Sequence, residues 1–196
     1  MKIILASKSE VRKKILEEKD IKCTVVFSNV DEDQVKESML QEGADPLSIS
    51  KNLAELKSVK VSSKHPDQLV LGADSVVSLN NEIINKPQSR LEALNILKKL
   101  NGKSHSLISS VCISKNGSMI WNYTDSSELI MKKLTESDLM NYLDKIKTET
   151  LKAYGVYQIE ADGMNLFKSI KGNKHSIMGL PIQQIINYIN IYKNKQ

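Results

Sequence analysis

The stretch KIILASKSEVRKKILEE, residues 2–18, decides the fold, because a short apolar run is followed at once by an amphipathic segment. The run IILA predicts a buried strand. After the hydroxyl residues Ser7 and Ser9, the apolar residues Val11, Ile15 and Leu16 recur at helical spacing, and Ser9 is a suitable N-cap. A strand that turns directly into a helix is a building unit of α/β proteins.

The rest of the chain repeats this alternation of strand and helix patterns. Strands are predicted over residues 22–27, over 67–79 with a break at Gly72, after a hairpin turn at Asn80 and Asn81, and on both sides of the KNG turn at 115–117. Helices are predicted over 45–62, 89–100, 135–146 and 179–194, and NVDED at 29–33 is interpreted as an acidic loop. The sequence therefore predicts an α/β fold with a mixed, twisted sheet flanked by helices.

Length, charge and cysteine content limit the possible function classes. A chain of 196 residues suits one domain over 1–196. The net charge of +5 comes from lysines that are scattered among 23 acidic residues, and aromatic residues make up 5%, so no stable nucleic-acid partner is expected. No apolar run is long enough for a membrane span, and no secretory leader is expected. Cys23 and Cys112 lack metal-ligand spacing, which favours reduced thiols and a cytoplasmic location.

The turn between the first strand and helix is a candidate anion site. The N-terminus of a helix presents free backbone N–H groups, to which Ser7 and Ser9 add hydroxyl donors. Arg12 lies on the first helical turn, where its guanidinium group is suited to phosphate oxygens. The alternative is an ordinary N-cap beside a solvated arginine.

Acidic and basic residues elsewhere supply further candidates. Asp74 follows an apolar strand and Gly72, so it is predicted at a strand end, where α/β sheets bind ligands. There it would hold a divalent cation or orient a water molecule, and the alternative is an Asp that only forms a turn. The acids of NVDED, Glu32 among them, are oxygen ligands suited to Mg²⁺ or Mn²⁺, unless they are simply solvated. Lys57 and Lys86 carry little information alone.

Taken in order, these segments resemble the Maf family of nucleotide pyrophosphatases. ILASKSEVR is similar to its Ser-x-Ser-Pro-Arg-Arg motif, VDED to its Asp-Glu pair and LAELKS to its Leu-Ala-x-x-Lys-Ala helix. LGADSVVSLNNEIINKP resembles its Gly-Ala-Asp to Lys-Pro segment, and AYGVYQIEADGMNLFKSIKG with IMGLP resembles its C-terminal signature. The resemblance implies an α/β fold with two lobes around a central cleft, related to that of the inosine triphosphate pyrophosphatases.

The resemblance also implies an activity and a set of site residues. Family members hydrolyse nucleoside triphosphates to the monophosphate and pyrophosphate with a divalent metal, here Mg²⁺, Mn²⁺ or Co²⁺. Asp74 matches the catalytic acid, as proton acceptor or metal ligand, and Glu32 matches a metal-proximal acid. Substrate binding is expected of Ser7, Ser9, Arg12, Lys57, Lys86 and Glu160. Removal of modified or noncanonical nucleotides is the expected role, and a homodimer is common among relatives.

Departures from the family pattern refine these expectations. Glu10 and Val11 replace the proline and the first arginine, so we expect Arg12→Ala to reduce turnover more than loss of any other surface cation. Glu160 stands where members that prefer uracil or thymine nucleotides have glutamine, and the branch with Glu includes 7-methyl-GTP pyrophosphatases. A carboxylate accepts two N–H donors of guanine, although Glu160 could instead be a surface or metal-side acid. The alternative function is a nucleotide-binding regulator of cell division with little or no catalysis.

Overall fold

The structure, a computed structural model, describes residues 2–159 and 162–195. Its strands are β1 Ile3–Ala6, β2 Cys23–Val25, β3 Val70–Leu79, β4 Glu82–Ile84, β5 Ser104–Lys115, β6 Ser118–Met131 and β7 Phe167–Lys171. Its helices are α1 Glu10–Glu17, α2 Glu32–Gln41, α3 Pro46–Ser62, α4 Arg90–Leu100, α5 Glu136–Asp144, α6 Thr148–Tyr154, α7 Lys174–Ile177 and α8 Ile182–Asn194. A 3₁₀ turn covers Asp162–Leu166.

The strands form one mixed sheet, which confirms the predicted fold class. Their order is β2-β1-β3-β5-β6-β7, and β4 pairs with β3. β1 is parallel to both β2 and β3, with Ala6 opposite Gly72, whereas β3–β4 and β6–β7 are antiparallel. Because β1 ends at Ala6 while β3 continues, the residues of β3 after Gly72 lie beyond the carboxyl end of β1. This is the sheet edge at which α/β proteins bind ligands.

The described residues form two compact units. The first contains residues 2–75, 108–126 and 173–195, and the second contains 76–107, 127–159 and 162–172. In the first unit, the buried faces of α1 and α8 pack on β1 and β3 through Leu5, Leu16, Leu71 and Ile185, all 1% exposed or less. The predicted single domain over 1–196 and the predicted cleft stay predictions.

Local signals at element ends are confirmed. The predicted N-cap Ser9 accepts from a backbone N–H group at the start of α1, and the structure shows the same kind of cap at Asp45 for α3 and at Thr135 for α5. Asn80 and Asn81 both have positive φ, as expected for the tight hairpin turn between β3 and β4.

The predicted strand break at Gly72 is wrong, and with it the placement of Asp74 at a strand end. β3 is continuous from Val70 to Leu79, and Asp74 lies inside it. Gly72 serves packing instead, because a Cβ atom there would lie 2.2 Å from the carbonyl oxygen of Ala54 in α3.

The acidic segment is also different from the predicted loop. Asp31 caps α2, and Glu32 and Asp33 occupy its first turn, where negative charge complements the helix dipole. α2 has no buried residue, so its apolar pattern is weak. α6, α7 and β7 were likewise not predicted.

None of the helices among the described residues is long and apolar enough to cross a membrane.

His105 predicts a specific pH dependence of stability. It is 3% exposed, its Nε2 lies 2.9 Å from the hydroxyl of Tyr157, and burial lowers its pKa to about 4. Between pH 6.5 and 4 the unfolded chain binds a proton at His105 that the folded chain does not, so the free energy of unfolding falls by about 3 kcal/mol over this range. Urea titrations of His105→Gln should lack this part of the pH dependence.

His65 provides the control for that measurement. His65→Gln removes a histidine that is only partly buried and does not belong to the His105–Tyr157 pair. Equal slopes for wild type and His105→Gln between pH 6.5 and 5 would contradict the prediction.

Candidate functional site

Two carboxylates and one lysine converge in the first unit. The Lys57 Nζ lies 2.7 Å from Oδ1 of Asp74 and 2.9 Å from Oε1 of Glu32. The side chains of Lys57 and Asp74 are 7% and 6% exposed, whereas that of Glu32 is 41% exposed. This carboxylate–lysine cluster therefore joins a buried ion pair to a carboxylate that solvent or a ligand reaches.

Close packing between α3 and β3 positions the buried pair. The missing side chain of Gly72 lets β3 approach the backbone of α3 at Ala54 and Ser58, which flank Lys57 in sequence. Gly72 itself is two residues before Asp74. The hydroxyl of Ser50, which lies two helical turns before Lys57 in α3, donates to the Asp74 carbonyl at 3.4 Å. Lys57 and Asp74 therefore meet because two elements pack without an intervening side chain.

The second carboxylate oxygen of Asp74 is chemically distinctive. Oδ2 is buried and has no hydrogen-bond partner among the described residues. A buried carboxylate oxygen without a partner is costly, because desolvation is not offset. Such an atom is a suitable acceptor for a proton or ligand for a cation.

Arg12 is held by four hydrogen bonds to the protein. Its Nε donates to the carbonyl of Gly179 at 2.9 Å, and Nη1 donates to the carbonyl of Ala73 at 2.9 Å and to Oγ of Ser7 at 3.1 Å. Nη2 donates to Oγ of Ser75 at 3.1 Å. Burial lowers the pKa of the Arg12 guanidinium group, and the charges of nearby acids oppose that shift. Arg12 is therefore tied to β3 and to the turn after α7.

The two serines of the first turn have different partners. Ser9 Oγ accepts from the Arg12 backbone N–H at 3.3 Å as the N-cap of α1. Ser7 Oγ accepts both from the Ser9 N–H at 3.3 Å and from the Arg12 side chain. The first turn thus contains the ordinary cap that was the alternative interpretation, together with an arginine that is not simply solvated.

Six of the predicted site residues lie in the first unit, as two groups of contacting side chains. Ser7, Ser9, Arg12, Glu32, Lys57 and Asp74 all belong to the first unit. Lys86 is exposed and belongs to the second unit, and Glu160 lies outside the described residues. The roles assigned to these eight site residues stay predictions.

Sequence reasoning did not assign roles to Ser75 and Gly179. Gly179 has φ +89, and a Cβ there would lie 3.1 Å from Oγ of Ser75 and 3.2 Å from two nitrogens of Arg12. The sequence signal for Gly179 is its place in the segment IMGLP, which resembles part of the family's C-terminal signature, but that resemblance assigns the glycine no function.

A divalent cation fits the donor set of the carboxylate–lysine cluster. Oδ1 of Asp74 and Oε1 of Glu32 both contact Nζ of Lys57, so the two carboxylates lie close together, and Oδ2 of Asp74 is buried with no hydrogen-bond partner among the described residues. Carboxylate oxygens suit Mg²⁺ and Mn²⁺, and Mg²⁺ at phosphate sites typically uses one or two carboxylates together with phosphate oxygens. No group of three or more His, Cys, Asp or Glu side chains suited to a metal occurs in the described part of the chain.

Comparison with known proteins identifies a family and several similar proteins. The profile of the family described as Maf-like protein matches residues 2–191. The nucleoside triphosphate pyrophosphatase of Pelagibacter ubique (strain HTCC1062) is 60% identical over 191 residues, which cover 97% of this chain and 98% of that protein. The 7-methyl-GTP pyrophosphatase of Brucella abortus biovar 1 (strain 9-941) is 32% identical over 186 residues, 95% of this chain and 94% of that protein. A solved nucleoside-triphosphatase or dITP/XTP pyrophosphatase from Mycobacterium abscessus superposes with a TM-score of 0.42 at 12% identity, over 68% of this chain and 76% of that chain.

Proposed function

This chain belongs to the Maf family, and we propose that it hydrolyses nucleoside triphosphates to the monophosphate and pyrophosphate. The observation that carries the proposal is the carboxylate–lysine cluster with the unpartnered Oδ2 of Asp74. A buried ion pair is weak evidence for stability, because desolvation of both charges offsets their attraction. The pair lies beside an exposed carboxylate at the sheet edge where α/β proteins bind ligands, which supports chemistry on a bound substrate.

In the proposed reaction, water attacks the α-phosphorus and the bond from this phosphorus to the oxygen bridging to the β-phosphate breaks. Pyrophosphate leaves with the bridging oxygen, and the water loses a proton. Oδ2 of Asp74 serves this step as the proton acceptor or as a ligand to the metal, while Lys57 holds Oδ1 and fixes the carboxylate. The positive charges near the phosphates stabilise the charge that builds on the leaving group.

A divalent metal is part of the proposal. Asp74 and Glu32 are the residues that would hold Mg²⁺, Mn²⁺ or Co²⁺. When bound, such an ion supplies positive charge that neutralises phosphate oxygens. Ser7, Ser9, Lys57 and Lys86 are proposed to contact the substrate.

The proposal is tested by pyrophosphate release from a broad nucleotide panel with Mg²⁺, Mn²⁺ or Co²⁺, and again after chelation. Release that stops on chelation and returns with metal supports it. Nucleotide binding without any release under all three metals would instead support a binding regulator of cell division.

Base preference is proposed to favour guanine nucleotides, including 7-methyl-GTP. Support comes from the named Brucella relative and from the carboxylate of Glu160, which accepts from the two N–H donors of guanine. Methylation at N7 also gives the base a positive charge that a carboxylate attracts. The corresponding role is removal of modified or noncanonical nucleotides.

We predict that Glu160→Gln lowers the ratio of kcat/KM for 7-methyl-GTP to that for UTP by about tenfold, the effect of losing one charge-assisted hydrogen bond. Steady-state kinetics on 7-methyl-GTP, GTP, UTP and dTTP measure the ratio. Glu149→Gln, an exposed change of the same type, is the control. An unchanged ratio would remove Glu160 from base recognition.

Two further expectations belong to the proposal. A cytoplasmic location is supported by the free thiols of Cys23 and Cys112, because disulfides rarely persist there. Homodimerisation stays a prediction, which light scattering checks.

A further inference from the structure

We propose that Arg12 is a positioning residue, which acts on the substrate through the hydroxyl of Ser7 instead of contacting phosphate as a cation. The inference rests on the proposed function, since it concerns the same site. It changes the role that the family resemblance implies for Arg12.

The hydrogen bonds of Arg12 leave few of its N–H groups for a phosphate. A guanidinium group has five N–H donors in one plane, and Arg12 uses four of them on protein acceptors. The acceptors include the carbonyls of Ala73 in β3 and Gly179 after α7. A phosphate would therefore meet at most one remaining N–H, too few for the bidentate contact for which arginine is suited.

The hydrogen bonds that Ser7 accepts leave its hydroxyl free only to donate. Its oxygen accepts from the Arg12 side chain at 3.1 Å and from the Ser9 backbone N–H at 3.3 Å. A hydroxyl oxygen has two acceptor sites, so both are filled and only its proton is left to offer. Ser7 is thereby fixed as a donor, the role that an anionic phosphate oxygen requires. Donation from a positive group also polarises the hydroxyl and strengthens it as a donor.

The surroundings of Arg12 are built to hold this geometry. Gly179 has no side chain where a Cβ would lie 3.2 Å from two guanidinium nitrogens. Ser75, which accepts from Nη2, is itself hydrogen bonded to Ser109 at 2.9 Å. The Ser75 hydroxyl is therefore anchored independently of Arg12.

The other arginine of the chain is used in the same way. The sequence contains 28 basic Lys and Arg residues but only two arginines. Arg90 donates to the carbonyls of Leu143 and Ile146 near the end of α5. This chain thus has arginine at two places where one planar side chain donates to two backbone carbonyls, a geometry that lysine cannot provide.

The test is a double-mutant cycle of Ser7→Ala and Arg12→Lys, with Lys13→Ala as the control cation on the same helix. Lysine keeps the charge and binds phosphate as a point charge, but it cannot reach four fixed acceptors. We expect each single variant to lower kcat/KM by roughly tenfold to a hundredfold, the loss of a hydrogen bond to a charged group. Because both act through one hydroxyl, the double variant should be no more than about threefold below Arg12→Lys.

The same cycle is measured by calorimetric binding of inorganic triphosphate, which needs no turnover, and melting temperatures identify variants that fail to fold. If Arg12→Lys fails to fold, Ser75→Ala replaces it, with a smaller loss that should vanish in the Ser7→Ala background. Multiplicative losses, or Arg12→Lys within about threefold of wild type, would overturn the inference. If wild type binds triphosphate but releases no pyrophosphate, the proposed function fails while the binding cycle still decides the role of Arg12. If wild type neither binds triphosphate nor releases pyrophosphate, both the proposed function and the proposed role of Arg12 are contradicted.

Discussion

Asp74→Asn is expected to lower kcat for nucleoside triphosphate hydrolysis by about a thousandfold, within the range associated with loss of a positioned acid or base. Asparagine preserves the shape of the side chain and still offers Oδ1 to Lys57. It removes the negative charge and replaces the unpartnered Oδ2 with an amide that neither accepts a proton nor binds a divalent cation. The loss therefore follows whether Asp74 serves as proton acceptor or as metal ligand.

The fold should survive this substitution, so the kinetic loss is interpretable. Lys57 keeps Glu32 as a charged partner at 2.9 Å, and a buried charge is not left alone. Asp33→Asn is the matched control, because its side chain is 91% exposed. Pyrophosphate release should be normal in Asp33→Asn, and melting temperatures of all three proteins should agree within a few degrees. Full activity of Asp74→Asn would exclude this carboxylate from the chemistry.

Local features of the sequence predict some of the element ends. A capping side chain contacts an N–H group two or three residues away, so a cap such as Ser9 is recognisable in a short window of sequence. The helix α2 escaped prediction because it buries no residue, so no apolar stripe marks it. The sequence indicates acidic side chains at 31–33 but not the helix α2 that contains Glu32 and Asp33.

Contacts between distant segments explain what sequence reasoning missed in the site. Arg12 and Gly179 are 167 residues apart, and no spacing rule connects them. The convergence of Glu32 and Asp74 on Lys57 likewise depends on how α2, α3 and β3 pack. Resemblance to a family identified the residue types, whereas the partners of each side chain required coordinates.

The role of Gly72 also depends on a contact between distant segments. The sequence indicates a strand break at Gly72, whereas the structure shows β3 packed closely against α3 there. We expect Gly72→Ala to lower the free energy of unfolding by about 3 kcal/mol, the upper part of the range for an overpacked core. The new Cβ would lie 2.2 Å from the Ala54 carbonyl oxygen and 2.8 Å from the Ser58 nitrogen. Both are backbone atoms of α3, so no side-chain rotation relieves the contact, and the helix must move away from β3.

That movement predicts a second effect, on activity. Lys57 lies between the two α3 residues that the Cβ would contact, and Asp74 is two residues beyond Gly72, so separation of α3 from β3 lengthens the 2.7 Å contact between Nζ and Oδ1. We expect kcat/KM to fall at least about tenfold even at temperatures where Gly72→Ala is folded, since misplacement by about 1 Å costs that much or more. Gly43→Ala is the control: no atom lies within 4 Å of its Cβ, so only the strain of its positive φ is added, about 1 kcal/mol. Urea denaturation and pyrophosphate release at low temperature measure the two effects separately. A Gly72→Ala protein as stable as Gly43→Ala and fully active would show that close packing of α3 on β3 does not position the ion pair.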